Sequence, residues 1–161
     1  MTARVVELDL ETGAYTRNAF ERELDFAVQV ARRAAQPCSL LVVDVDDFRA
    51  LRDVRGDLAA DTCLEALAHR ISTESSGAGP IGRLGADTFG LLLPGWALPR
   101  ACALADKLRG ATRADPCVMA TVSVGVAALR PAEPWGNLLD AAETACTRAK
   151  QAGRDRSVHR R

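Results

Sequence analysis

The stretch Ile81–Gly95, IGRLGADTFGLLLPG, most narrows the folds open to this chain, because two strand-like runs follow one another with no room for a helix between them. Ile81–Leu84 reads as a short apolar strand, Gly85-Ala86-Asp87-Thr88 as a turn, and Phe89–Leu93 as a second strand stopped by Pro94-Gly95. Strands joined this tightly pair antiparallel, which excludes a doubly wound, all-parallel sheet. The tip sets a carboxylate, Asp87, beside Gly85, and a glycine-bearing turn lets backbone approach a metal or phosphate closely. An ordinary Gly/Asp turn has the same composition. What gives the tip more weight is a second acidic strand end at Val42-Val43-Asp44-Val45-Asp46, since two strands that each end in Asp can bring both carboxylates to one edge of a sheet.

The remaining elements follow from apolar spacing. Thr16 is placed to cap a helix to about Ala35, with Phe20, Leu24, Ala27, Val28 and Ala31 inward, ended by Gln36-Pro37. Ser39–Asp44 is a continuous apolar run of the kind buried on both faces. Helical spacing returns with Phe48, Leu51 and Val54 on one side, breaks at Gly56, and resumes from Leu58 to about Ser72 with Leu64, Leu67, Ala68 and Ile71 inward. Ser75–Gly79 reads as a loop and Pro99–Arg109 as a helix with proline in its first turn. Met119–Leu129 alternates as a central strand. Trp135–Ala152 is a long helix with Gly153 at C′, and Ser157–His159 adds a short edge strand. The order is α-β-α-α-β-β-α-β-α. It predicts an α+β sandwich, one antiparallel-containing sheet flanked by helices in the manner of a ferredoxin-like palm.

With 161 residues and no linker or internal repeat, the chain is expected to form one domain with its core over about 9–159. Zero formal net charge offers no electrostatic footprint for nucleic acid or an anionic membrane. Five scattered cysteines (Cys38, Cys63, Cys102, Cys117, Cys146) lack CxxC or Cys/His spacing, so they read as reduced, mostly buried thiols rather than zinc ligands or disulfides. The opening residues carry no signal-like apolar run, and no stretch of membrane-spanning length occurs. A cytoplasmic protein is expected.

Four blocks in order carry a resemblance to the GGDEF (diguanylate cyclase) family. Asp9, Thr12, Gly13, Arg17 and Phe20 match an opening DxLTGLxNRRxF. Asp44-Val45-Asp46-Asp47-Phe48-Arg49, with Gly56 and Asp61, is similar to DxDxFKxxND…GH…GD. Arg83–Phe89 stands where RxGGDEF belongs, and Ser123–Ala127 with Ala149–Arg154 resembles SIGVA and AKxxGRN. In that family two GTP-loaded protomers face each other and form cyclic di-GMP on two Mg²⁺ ions. The resemblance implies Mg²⁺ ligation by Asp44, the Val45 carbonyl and Asp87, the last also the catalytic carboxylate. This is a hard-oxygen set suited to a cation that also takes phosphate oxygens. It further implies nucleotide binding at Gly85, guanine reading at Asp61 and position 52, and phosphate binding by Lys150 and Arg154. Their four-residue spacing sets that pair on one side of the closing helix turn.

Several positions depart from the family pattern. Thr88 replaces the signature Glu and Ala86 its second Gly, where a methyl group is costly if φ is positive. Arg52 replaces the guanine-reading Asn and offers only donors. Arg52 is also in reach of Asp53 or of Asp57, which stands where the family has His. The upstream RxxD of product inhibition falls on Ser76 and Gly79 and is absent. Because these departures fall on chemistry and base reading, the resemblance implies a degenerate domain without cyclase activity. Such a domain would act as a regulatory, interaction or nucleotide-sensing module in bacterial cyclic di-GMP signalling, with a homodimer or another protein as partner. The alternative is an active diguanylate or related nucleotidyl cyclase.

Overall fold

Residues 7–161 are described by a computed structural model. The expectation that the opening residues carry no signal-like apolar run falls in part on residues 1–6, which lie outside them. Ten elements follow in order: α1 (Arg17–Ala34), β1 (Cys38–Val45), α2 (Phe48–Arg55), α3 (Asp57–Ser75), β2 (Ile81–Arg83), β3 (Thr88–Pro94), α4 (Leu98–Ala114), β4 (Val122–Ala128), α5 (Trp135–Gln151) and β5 (Ser157–His159). The five strands form one mixed sheet ordered β2-β3-β1-β4-β5. β1 is its centre, antiparallel to both β3 and β4, while β5 adds parallel to β4.

Alternation along β1 sends successive side chains to opposite layers. Leu41, Val43 and Val45 join Leu64, Leu67 and Ile71 of α3 and Leu104 and Leu108 of α4 in one core. Leu40 and Val42 join Phe20 and Leu24 of α1 and Leu138 and Ala142 of α5 in the other. A polar residue in phase with Leu40 and Val42, at the strand's open end, must therefore emerge beneath α1 and α5. That residue is Asp44.

Local chemistry sets the boundaries. The Thr16 hydroxyl accepts from the Ala19 N–H, capping α1 as expected. Gly56, at φ 89°, is shared between the end of α2 and the start of α3, a conformation open to glycine. Five expectations are corrected. Val54 is 80% exposed, because two-turn α2 buries Phe48 and leaves the opposite side in water. β4 begins at Val122 rather than Met119, whose φ of 57° no strand tolerates. Thr88 is the first residue of β3, not part of the turn, and is paired opposite Asp44. α3 and α4 each run a turn or so further than their sequence spacing indicated. Of the cysteines, Cys38, Cys63 and Cys146 are buried, Cys102 is partly covered and Cys117 is exposed.

Candidate functional site

The site forms where β1 ends. The Val45 N–H donates to the Asp87 carbonyl at 3.1 Å, which folds the tip of the β2–β3 hairpin against the strand end. Asp44 and half-buried Asp87 are thereby brought together, as expected. Each Asp44 oxygen has a neighbour. Lys150 Nζ, from the last turn of α5, lies 2.6 Å from Oδ1 and donates to the Val45 carbonyl at 3.3 Å. Thr88 Oγ1 donates to Oδ2 at 3.2 Å. Burial raises the Asp44 pKa above the usual carboxylate value, and the Asp87 charge adds to this, outweighing Lys150 and Thr88. Burial alone would lower the Lys150 pKa, but Asp44, Asp46 and Asp87 together raise it. A cavity of about 200 Å³ opens beside the pair, walled by Arg17, Thr88, Glu143 and Cys146.

The hairpin tip is fixed from the other side by Arg83. Its guanidinium pairs with Asp9 at 3.1 Å and Glu11 at 2.5 Å, and donates to the Ala86 carbonyl at 2.8 Å and the Gly85 carbonyl at 3.3 Å. Asp9 in turn accepts the Thr12 N–H and hydroxyl. One arginine thus ties the Asp9–Thr12 turn to the tip, and the use of all three nitrogens of one planar fork makes this a rigid junction. Neither Gly85 nor Ala86 is among the described residues with positive φ, so the Ala86 methyl is carried without strain.

Asp61 and Arg52 sit apart from the carboxylate pair, at the α2–α3 corner. A hydrogen bond with Glu11 raises the Asp61 pKa, whereas Glu11 is held low, chiefly by Arg83. Arg52 lies over the Phe48 ring at 5.0 Å, with Nε 3.6 Å from Asp57 Oδ1. Arg154 and Lys150 do not share a helix turn as their spacing suggested. α5 ends at Gln151 and Arg154 follows in a left-handed turn at φ 62°. It nonetheless faces the same junction, with Nε 3.5 Å from Asp47 Oδ1.

Sequence reading missed Asp46. It is only 4% exposed, and it accepts from Thr121 Oγ1 at 2.7 Å, Ser123 Oγ at 2.6 Å and the Asp155 N–H at 3.0 Å. It anchors the turn carrying Arg154 and Asp155, both left-handed, to the end of β1. Its signal was the second acid of the 44–46 pair. Only the fold shows that this acid is closed off by two hydroxyls and a backbone N–H.

The donor set suits a hard divalent cation. Asp44 Oδ1 is shut from water and takes no hydrogen bond of good geometry, so it is satisfied by charge alone, and the Val45 carbonyl already accepts from a cation. Among the described residues no group of three or more His, Cys, Asp and Glu side chains converges, so the candidate ligands are two carboxylates and a carbonyl.

Sheet, hairpin tip and strand-end acids together define a palm-like α+β domain with an acidic site at the end of its central strand. The sequence matches the family described as "Diguanylate cyclase, GGDEF domain" over residues 6–156, and the chain belongs to that family. It is 31% identical over 154 residues to the probable diguanylate cyclase DgcC of Escherichia coli K12, covering 91% of this chain and 41% of that protein. It is 32% identical over 151 residues to the diguanylate cyclase DgcP of Pseudomonas aeruginosa, covering 90% and 22%. The chain thus spans less than half of either relative. The fold is shared with the GGDEF domain of DgcB from Caulobacter crescentus, solved in complex with c-di-GMP. The TM-score is 0.91 at 24% identity, covering 99% of this chain and 96% of that one. No described helix is long and apolar enough to cross a membrane.

Proposed function

We propose that this GGDEF domain binds a purine nucleoside triphosphate with Mg²⁺ and does not cyclise it, serving as a nucleotide-sensing or interaction module in cyclic di-GMP signalling. The observation that carries this reading is Thr88. Where the family has a second acid, a hydroxyl donates to Asp44, so the site holds one fewer carboxylate to activate an attacking hydroxyl or bind a second cation.

Asp44, Asp87 and the Val45 carbonyl are the residues that would hold Mg²⁺, which on binding would neutralise phosphate charge. Lys150 and Arg154 supply donors to the terminal phosphates, and Gly85, exposed at the tip, leaves backbone room for them. Base reading is altered as well. Asp61 is engaged by Glu11 and Arg52 by Asp57, so the two groups that would read guanine are both held by neighbours within the chain. The reading treats the chain as a single cytoplasmic GGDEF domain whose partner is a second copy or another protein.

Calorimetric titration with GTP and ATP in the presence of Mg²⁺, with chromatography of the mixtures, tests this. Binding without a new dinucleotide is expected. Thr88→Glu with Ala86→Gly and Arg52→Asn is expected to restore cyclic di-GMP formation. A well-folded triple variant without product would move the block to dimer geometry or the phosphate site. The surviving set Asp44, Asp87, Asp61, Lys150 and Arg154 favours the second reading, an active cyclase, and dinucleotide formed by the unaltered chain would establish it.

A further inference from the structure

We infer that Lys150 is a built-in cation of the Asp44 platform, which admits a divalent metal only when a polyphosphate draws the ammonium away. Metal and polyphosphate then bind this domain as a coupled pair, not independently.

The geometry leaves little choice. Lys150 Nζ contacts two of the candidate ligand oxygens, Asp44 Oδ1 at 2.6 Å and the Val45 carbonyl at 3.3 Å. The other Asp44 oxygen is taken by Thr88. A divalent ion cannot share those oxygens with an ammonium at ion-pair distance, because like charges so placed in a partly desolvated site repel strongly. The side chain of Lys150 is 27% exposed and that of Asp44 21%, so the pair is shielded enough for the contact to persist.

The helix itself is pinned. Gly125 of β4 lets the α5 backbone approach so closely that a Cβ there would lie 2.1 Å from the Ala142 carbonyl. Exchange therefore has to occur by rotation of the flexible four-carbon lysine arm, not by movement of α5. An ammonium leaving Asp44 needs another anion in reach. Arg154, half-exposed and loosely paired with Asp47, is a second cation at the same junction, so the mouth suits a ligand with several adjacent negative groups. By linkage, whatever the polyphosphate gains from the metal, the metal gains from the polyphosphate.

The test is Mn²⁺ binding to the full chain, read by electron paramagnetic resonance, for the unaltered protein and for Lys150→Met, Lys150→Arg and Lys150→Met with Asp44→Asn. Thermal melts confirm folding. With Mn²⁺ alone, Lys150→Met is expected to bind at least tenfold more tightly than the unaltered chain. Lys150→Arg, which keeps the charge, is expected to stay weak, and the added Asp44→Asn to abolish the gain. Inorganic triphosphate supplied with Mn²⁺ is expected to strengthen metal binding by the unaltered chain and to have a much smaller effect on Lys150→Met. Equal Mn²⁺ affinity in the unaltered chain and Lys150→Met would overturn the coupling while leaving the proposed Mg²⁺ platform intact. No Mn²⁺ bound by any variant, together with no Mg²⁺-dependent nucleotide binding, would remove the platform and the coupling with it.

Discussion

Gly125→Ala is expected to separate the sheet from α5 and with it the two halves of the site. Gly125 sits on β4 opposite Val42, with the α5 backbone directly above it. An added Cβ would lie 2.1 Å from the Ala142 carbonyl oxygen, 2.3 Å from the Cys146 nitrogen and 2.9 Å from the Cys146 Cα, against an ordinary contact beginning at 3.4 Å. All three atoms are backbone, so no side chain can turn aside, and the helix must lift by roughly an ångström. Overpacking of this kind costs about 1–3 kcal/mol, and rigid groups on both sides place this case near 3. For a domain of this size that corresponds to a fall of about 6–12 °C in Tm. Lys150 follows Cys146 by one turn, so the same displacement draws its ammonium from Asp44. Thermal unfolding followed by circular dichroism measures the effect. Gly110→Ala on α4 is the control, since nothing lies within 4 Å of its added Cβ, and a gain of about 0.5–1 kcal/mol is expected there. A Gly125→Ala protein melting within about 2 °C of the unaltered chain would refute the reasoning.

Three other outcomes follow from the same geometry. Asp46→Ala strips the acceptor from Thr121, Ser123 and the Asp155 N–H. It should lower stability by roughly 3 kcal/mol and speed hydrogen exchange at 153–156, and unchanged exchange there would show that the turn does not depend on it. Asp115 is held below its ordinary pKa by Arg70 at 2.7 Å and by the Cys117 N–H. The stability it contributes is therefore present above the unfolded value of 3.8 and lost as pH falls through the folded one. Asp115→Asn should melt below the unaltered chain at neutral pH, the gap closing toward about pH 2, and a gap independent of pH would contradict the linkage. Asp87→Ala should abolish Mg²⁺-dependent nucleotide binding while leaving the fold intact, because Asp87 meets Val45 through its backbone carbonyl. Unchanged affinity by calorimetry would take its carboxylate out of the site.

What could be seen in the sequence was local. The Phe20 to Ala31 spacing, the apolar run of β1, the Thr16 cap and the hairpin are each written within a few residues, and each holds in the fold. Two-turn α2 is too short for periodicity to say how far its apolar side is covered, which is why Val54 misled. Met119 sits among β-branched neighbours, but its left-handed backbone follows the turn closed by Val118 N–H on Asp115, a constraint that composition does not carry. At the site, the acids at 44 and 87 were marked by their strand ends. That Lys150 turns onto Asp44 and Arg83 bridges to Asp9 and Glu11 depends on contacts spanning 106 and more than 70 residues. Asp44 and Asp46 are in phase along the chain, yet one opens to the site and the other is closed by hydroxyls. The β1–α2 turn that makes this difference leaves no periodic trace.

Under the proposed function, this domain keeps a metal-dependent nucleotide site and has lost the turnover. Titration of the unaltered chain with GTP, with and without Mg²⁺, followed by chromatography of the products, tests it most directly. Mg²⁺-dependent binding with GTP recovered intact is the expected result. Cyclic di-GMP in the eluate, or no binding at all, would contradict it.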